Sequence, residues 1–170
     1  MLSSCCGAAH PCRVVRSLPN RTPPPATVHI RKAQPGDAAR IKELIDLNVP
    51  GGTLLPRTRE FILANLDHYL VADEDDTPVG CVHLEEYAPS LAEVRSLAVA
   101  EGWHGRGVGT ALVAAAERLA VRRGYRTVFA VSDREAFFLG RGYERRHIPE
   151  LDPERSEVSR FKGVFVKDVG

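Results

Sequence analysis

Residues 94–109 read Val-Arg-Ser-Leu-Ala-Val-Ala-Glu-Gly-Trp-His-Gly-Arg-Gly-Val-Gly, a strand pattern that passes through a glycine-rich loop into a helix pattern from Thr110 to Arg123, closed by Gly124. That order puts free backbone N–H groups and the positive end of a helix dipole beside a strand end, where a pyrophosphate fits. Gly105, Gly107 and Gly109 let the backbone approach an anion closely, and Arg106 adds a positive charge. Two well-known phosphate patterns do not fit. A dinucleotide fingerprint needs Gly-x-Gly-x-x-Gly, and here the last interval is one residue short. A nucleotide-triphosphate loop needs Gly-Lys-Ser/Thr, and no lysine is near.

The loop, His104-Gly-Arg-Gly107-Val-Gly109, resembles the acetyl-CoA loop of the GNAT acetyltransferases, Arg/Gln-x-x-Gly-x-Gly/Ala, with His104 in place of the usual Arg or Gln. The resemblance implies an acetyl-CoA donor held by Leu97, Ala98, Val99, His104, Gly105, Arg106, Gly107, Val108, Gly109 and Thr110, and it implies no metal. A second stretch, Ala136-Phe137-Phe138-Leu-Gly-Arg-Gly142-Tyr143, resembles the family's x-x-Phe-Tyr-x-x-x-Gly-Phe segment. Phe138 stands where many members carry a tyrosine that protonates the leaving thiolate, and a phenyl ring has no proton to give.

At 170 residues the chain is long enough for one domain with a proper core. Residues 1–26 contain Arg13, Arg16 and Arg21, no Asp or Glu, and end in Pro23-Pro24-Pro25, so they read as a disordered or targeting-like tail. Without them the net charge of +1 becomes 20 basic against 22 acidic residues. That balance argues against a nucleic-acid surface, and no apolar run of about 18 residues suggests a membrane span. Cys5, Cys6 and Cys12 lie in the tail beside His10 without a Cys-x-x-Cys pair, which argues against a metal cluster. Cys81 sits alone in an apolar strand. Lone thiols suit a reducing, cytoplasmic compartment.

Hydrophobic spacing predicts a strand over 28–33, a helix after Pro35-Gly36-Asp37 with Ile41, Leu44 and Ile45 inward, and a second helix over 58–66 capped by Thr58. Strands follow at 69–72, 78–86 and 92–99, then the glycine loop and its helix. A buried strand at 127–131, a short helix at 135–141 and two closing strands complete the series. The order matches the GNAT fold over residues 27–170: α/β, a mixed, mostly antiparallel central sheet with helices on both faces.

Three stretches sharpen the resemblance. Gly52-Thr-Leu-Leu-Pro-Arg57-Thr58-Arg59-Glu60, Glu93-Val-Arg95-Ser96-Leu97-Ala-Val99 and Arg160-Phe-Lys162-Gly-Val-Phe-Val-Lys-Asp168-Val-Gly170 are similar to the acetyltransferase domain of bacterial N-acetylglutamate synthases. This likeness implies a stand-alone short form that acetylates the α-amine of L-glutamate, the first step of arginine biosynthesis, with a homodimer as the oligomer to consider. A dicarboxylate asks for two separated cationic anchors. The resemblance assigns Arg57 to the α-carboxylate and Arg160 to the γ-carboxylate, with Leu55, Ser96, Ser132, Arg134 and Lys162 around the acceptor. Glu93 aligns with the family's base, and its other reading is a carboxylate paired with Arg95. The N–H of Leu97 or Ala98 is the candidate oxyanion donor if the strand splays from its neighbour. Another amine acceptor, or a non-catalytic acetyl-CoA sensor, stays open at this point.

Overall fold

The computed structural model describes residues 28–51, 54–151 and 162–170. The expected tail 1–26, with its cysteines, and Arg160 lie outside the described residues. Strand β1 (His29–Lys32) leads through a 3-10 turn at Pro35–Asp37 into α1 (Ala38–Asn48), followed by α2 (Arg59–Ala64) and a further 3-10 turn at Leu66–His68. Then come β2 (Tyr69–Glu74), β3 (Thr77–Ala88), β4 (Leu91–Val99), α3 (Val108–Arg122), β5 (Thr127–Ser132), α4 (Glu135–Leu139), β6 (Glu144–Arg145) and β7 (Gly163–Asp168). The strands form one sheet in the order β1-β2-β3-β4-β5-β7-β6. Among the described strands only β4 and β5 pair in parallel, because α3 carries the chain back across the sheet between them.

Most expected elements recur within a residue or two. The exceptions have local causes. The second helix is cut to six residues, where Asn65 leaves helical geometry and its amide bonds the carbonyl of Phe61. The first expected helix begins as a 3-10 turn because the carboxylate of Asp37 is drawn back to the N–H of Gln34 and the guanidinium of Arg31. Thr58 does cap α2, its Oγ1 accepting from the N–H of Phe61 at 3.1 Å.

Helix α3 packs its Val108, Leu112, Val113, Ala116, Leu119 and Ala120 stripe on one face of the sheet, against Leu70, Val82, Leu84, Ala92, Val94 and Val128. On the other face α1 and α2 cover Tyr69, Val71, Cys81 and Ala98 with Ile41, Leu44, Ile45 and Ile62. Farther along that face Leu91, Phe129, Ile148 and Val166 make a third cluster. Close seating of α3 depends on Gly80 in β3: a Cβ there would lie 3.0 Å from Leu112 Cδ1, 3.2 Å from Val108 Cγ1 and 3.2 Å from the carbonyl of Ala98. No helix among the described residues is long and apolar enough to cross a membrane.

A branched side chain at 80 must therefore push α3 off the sheet. Gly80→Val is expected to lower unfolding stability by about 1–3 kcal/mol in urea titration, with α3's first turn, and so the loop before it, displaced.

Candidate active site

Strand β4 keeps both neighbours only over its first third. It pairs with β5 at Leu91↔Thr127, Ala92↔Val128 and Glu93↔Phe129, and the pairing ends there. Strand β5 instead continues with β7 as far as Ser132↔Gly163. On the other side of β4, Cys81 pairs with Ala98 and His83 with Arg95, so Ser96 and Leu97 stand opposite Val82 alone. This β-bulge needs Ser96 at φ +49°, unusual for a residue with a side chain. From behind, the Cys81 thiol donates to the Ser96 carbonyl at 3.5 Å. Burial pushes that thiol up to about 12, so it stays protonated and inert.

The parting opens a cavity of about 550 Å³ whose wall includes Glu93, Val94, Arg95, Ser96, Leu97 and Val99 from β4, and Ala130, Val131 and Ser132 from β5. One end is closed by the loop into α3. There Gly107 is the N-cap at φ +82°, a conformation glycine adopts without strain, and His104, Gly105, Gly107, Val108, Gly109 and Thr110 line the cavity. His104 does not point freely: its Nε2 donates to the carbonyl of Val99 at 2.8 Å. Arg106 is not among the lining residues; it lays its guanidinium 4.2 Å from the ring centroid of Trp103, which is one of them. Ala98 also stands off the wall. It is 1% exposed and packs under α1 with Cys81 and Val71.

The other end is lined by Leu54, Leu55, Arg57, Arg134 and Lys162. Arg57 holds its guanidinium 5.0 Å from the Phe61 centroid. Ser132 Oγ accepts the N–H of Arg134 at 3.0 Å, which fixes the turn after β5. Glu93 is 2% exposed, lines the cavity, and its Oε2 stands 3.8 Å from Arg95 Nε. Arg95 is shared, because Glu85, directly across from Glu93 on β3, also accepts from it.

Trp103, Phe137 and Arg141 are among the lining residues to which sequence reasoning assigned no site role. Phe137 packs where a Cβ on Gly109 would touch it at 3.4 Å, so α4 closes against the first turn of α3. The aromatic pair Phe137-Phe138 was visible, but only the fold shows that the two rings divide. Phe138 is buried, stacked on Phe165 at 5.6 Å, whereas Phe137 carries Arg141. No group of His, Cys, Asp and Glu among the described residues could hold a metal.

This geometry agrees with the comparisons to known proteins. A family model described as the acetyltransferase (GNAT) family matches residues 40–143. The chain belongs to that family. It is an acetyl-CoA-dependent N-acetyltransferase. An uncharacterized N-acetyltransferase of Chlorobaculum tepidum is 32% identical over 130 residues, 75% of this chain and 84% of the relative. The amino-acid acetyltransferase of Ralstonia nicotianae is 29% identical over 136 residues, 79% of this chain but 30% of that protein. Among solved structures, N-acetylglutamate synthase from Neisseria gonorrhoeae complexed with coenzyme A and N-acetyl-glutamate superposes with a TM-score of 0.76 and 28% identity, over 85% of this chain and 36% of that one. The acetyltransferase therefore spans about a third of the length of its amino-acid acetyltransferase relatives.

Behind the Arg57 end of the cavity lies a buried histidine. His83 is 1% exposed, stacked on Tyr69 at 4.5 Å, edge-on to Phe61 at 5.9 Å, and neither ring nitrogen has a hydrogen-bond partner among the described residues. Burial pushes it down to about 4 from 6.5, helped by the cationic Arg95 and Arg57 and opposed by Glu85. The unfolded chain therefore takes up a proton that the folded chain refuses, and stability falls as pH drops from 6.5 towards 4. His83→Phe keeps the stacking and removes the titration. Urea unfolding at pH 7 and pH 5 is expected to show wild type losing about 2 kcal/mol more than the variant on acidification.

Proposed function

We propose that the acetyltransferase acetylates the α-amine of a small dicarboxylic amino acid, L-glutamate, and so makes N-acetylglutamate at the head of arginine biosynthesis. The observation that carries this reading is the charge of the acceptor end. Glu93 is the one carboxylate in the described wall, and Arg57, Arg95, Arg134 and Lys162 line the same cavity. Two carboxylates on the acceptor suit a site of this sign, and a polyamine does not. The N-acetylglutamate synthase likeness supports the same choice.

In this reading Arg57 takes the α-carboxylate, with Ser96 and Leu55 beside it, and Lys162 takes part of the side-chain carboxylate. Arg160, outside the described residues, remains assigned to that second carboxylate by resemblance. Ser132 and Arg134 flank the same end. Glu93 accepts the proton from the acceptor ammonium, directly or through water, and so frees the lone pair that attacks the thioester carbonyl carbon. A C–N bond forms, the C–S bond breaks and the sulfur leaves as thiolate. The N–H of Leu97, in the bulge, is assigned in this reading to the developing oxyanion. The first turn of α3 stabilises the leaving thiolate through its dipole, since Phe138 has no proton to donate.

An acceptor panel of glutamate, glutamine, alanine and spermidine with acetyl-CoA tests the substrate. Glutamate should show the highest kcat/KM, and a preference for spermidine would overturn the proposal. Arg57→Ala is expected to raise KM for glutamate about 10- to 100-fold with KM for acetyl-CoA unchanged. Glu93→Gln keeps the shape and removes the base. It is expected to cut kcat about a hundredfold or more at neutral pH, while activity that recovers at high pH would mark the lost proton acceptor.

A further inference from the structure

The loop into α3 contains a histidine and an arginine, and each side chain already has a partner in the fold. His104 is tied to the Val99 carbonyl, and Arg106 is stacked on Trp103, a residue of the wall, without lining the cavity itself. A donor with a pyrophosphate and a 3′-phosphate nevertheless calls for a positive partner, because backbone amides alone leave the anions only partly compensated.

One guanidinium does enter this end. Arg141, just beyond α4, lines the cavity with its Cζ 3.5 Å from the Phe137 ring centroid. Its Nη1 donates to the Phe137 carbonyl and its Nη2 to Thr110 Oγ1, in the first turn of α3. The side chain is therefore held on two elements and presented beside the N-terminus of α3. Its Nε is buried with no partner among the described residues. It makes no ion pair with a described carboxylate. Glu117, the acidic group whose charge reaches it, is itself bonded by Lys167 at 2.9 Å. No Asp or Glu belongs to the donor end of the wall. A half-buried guanidinium with no carboxylate partner is suited to receive an anion.

The geometry points to Arg141 as the phosphate-binding cation of the donor site, replacing the loop residues at 104 and 106. Phe137 and Thr110 are its positioning residues: the ring supports the plane of the guanidinium and the hydroxyl sets its direction. The ligand class is the phosphate groups of coenzyme A, pyrophosphate or 3′-phosphate, and truncated donors separate the two.

The inference rests on acetyl-CoA being the donor. Titration of the full chain with CoA, 3′-dephospho-CoA and pantetheine tests it in wild type, Arg141→Met and Arg141→Lys. Arg141→Met keeps the packing on Phe137, and is expected to weaken CoA about tenfold or more while leaving pantetheine and the KM for the amine acceptor unchanged. Its CoA affinity should also fall less steeply with added salt than that of wild type. Arg141→Lys should recover part of the affinity. If dephospho-CoA suffers the same loss as CoA, the contact is to the pyrophosphate; if only CoA suffers, it is to the 3′-phosphate. Equal weakening of pantetheine would reduce Arg141 to a structural tie between α4 and α3 and overturn the assignment. So would unchanged CoA binding in Arg141→Met with wild-type binding intact. Absence of CoA binding to wild type would overturn the donor reading along with it.

Discussion

The site depends on the point at which β4 and β5 stop sharing hydrogen bonds, after Glu93↔Phe129. Backbone polar groups inside a fold are normally paired, so a sheet does not part without cause. Here the causes can be named. Strand β5 is held by β7 through to Ser132, and β4 is held by β3, but with a bulge at Ser96 that twists it out of the common plane. Each half of the sheet follows its outer partner. The gap between them is the cavity, and its walls carry strand N–H and C=O groups that an extended pantetheine arm is suited to pair.

The two ends of that cavity differ because different layers close them. At the donor end the closing pieces are helical first turns and glycines, which offer backbone N–H groups and no acids. At the acceptor end the closing pieces are charged side chains from the loop before α2, the turn after β5 and the start of β7. Glu93 sits where the ends meet, at the last paired position of β4. Its place is therefore fixed by the ladder itself, while Arg95 and Glu85 surround it with charge of both signs. A carboxylate at the last paired position can face the opening without depending on loop order.

What the sequence made legible follows periodicity and backbone chemistry. The α3 stripe, the β-α-β crossover and the glycine at 107 are local signals, and each element appears within a few residues of its expected place. The loop's side chains are less legible. His104 and Arg106 stand at suitable positions along the chain, yet where each side chain lies is decided by Val99 and Trp103, which folding brings beside them. Arg141 is the converse case. Thirty-one residues separate it from Thr110, and only the packing of α4 on α3 makes them neighbours. Ala98 shows pleat alternation: at the edge of the bulge its side chain falls on the α1 face, which leaves its expected role, a backbone one, untouched.

The buried layer behind the bulge explains how a strained backbone is kept in place. Ser96 at φ +49° costs about 1 kcal/mol or more and persists only if its surroundings fix it. Cys81 bonds its carbonyl from below, Ala98 anchors the following residue under α1, and the Tyr69–His83 stack fills the sheet face beside it. His83 accepts burial without a hydrogen-bond partner, a cost a phenyl ring would not bear. Its neutral ring adds no charge to a neighbourhood where Arg57 and Arg95 already stand. The acceptor end can thus concentrate guanidinium groups on its surface because the layer below them is uncharged and densely packed.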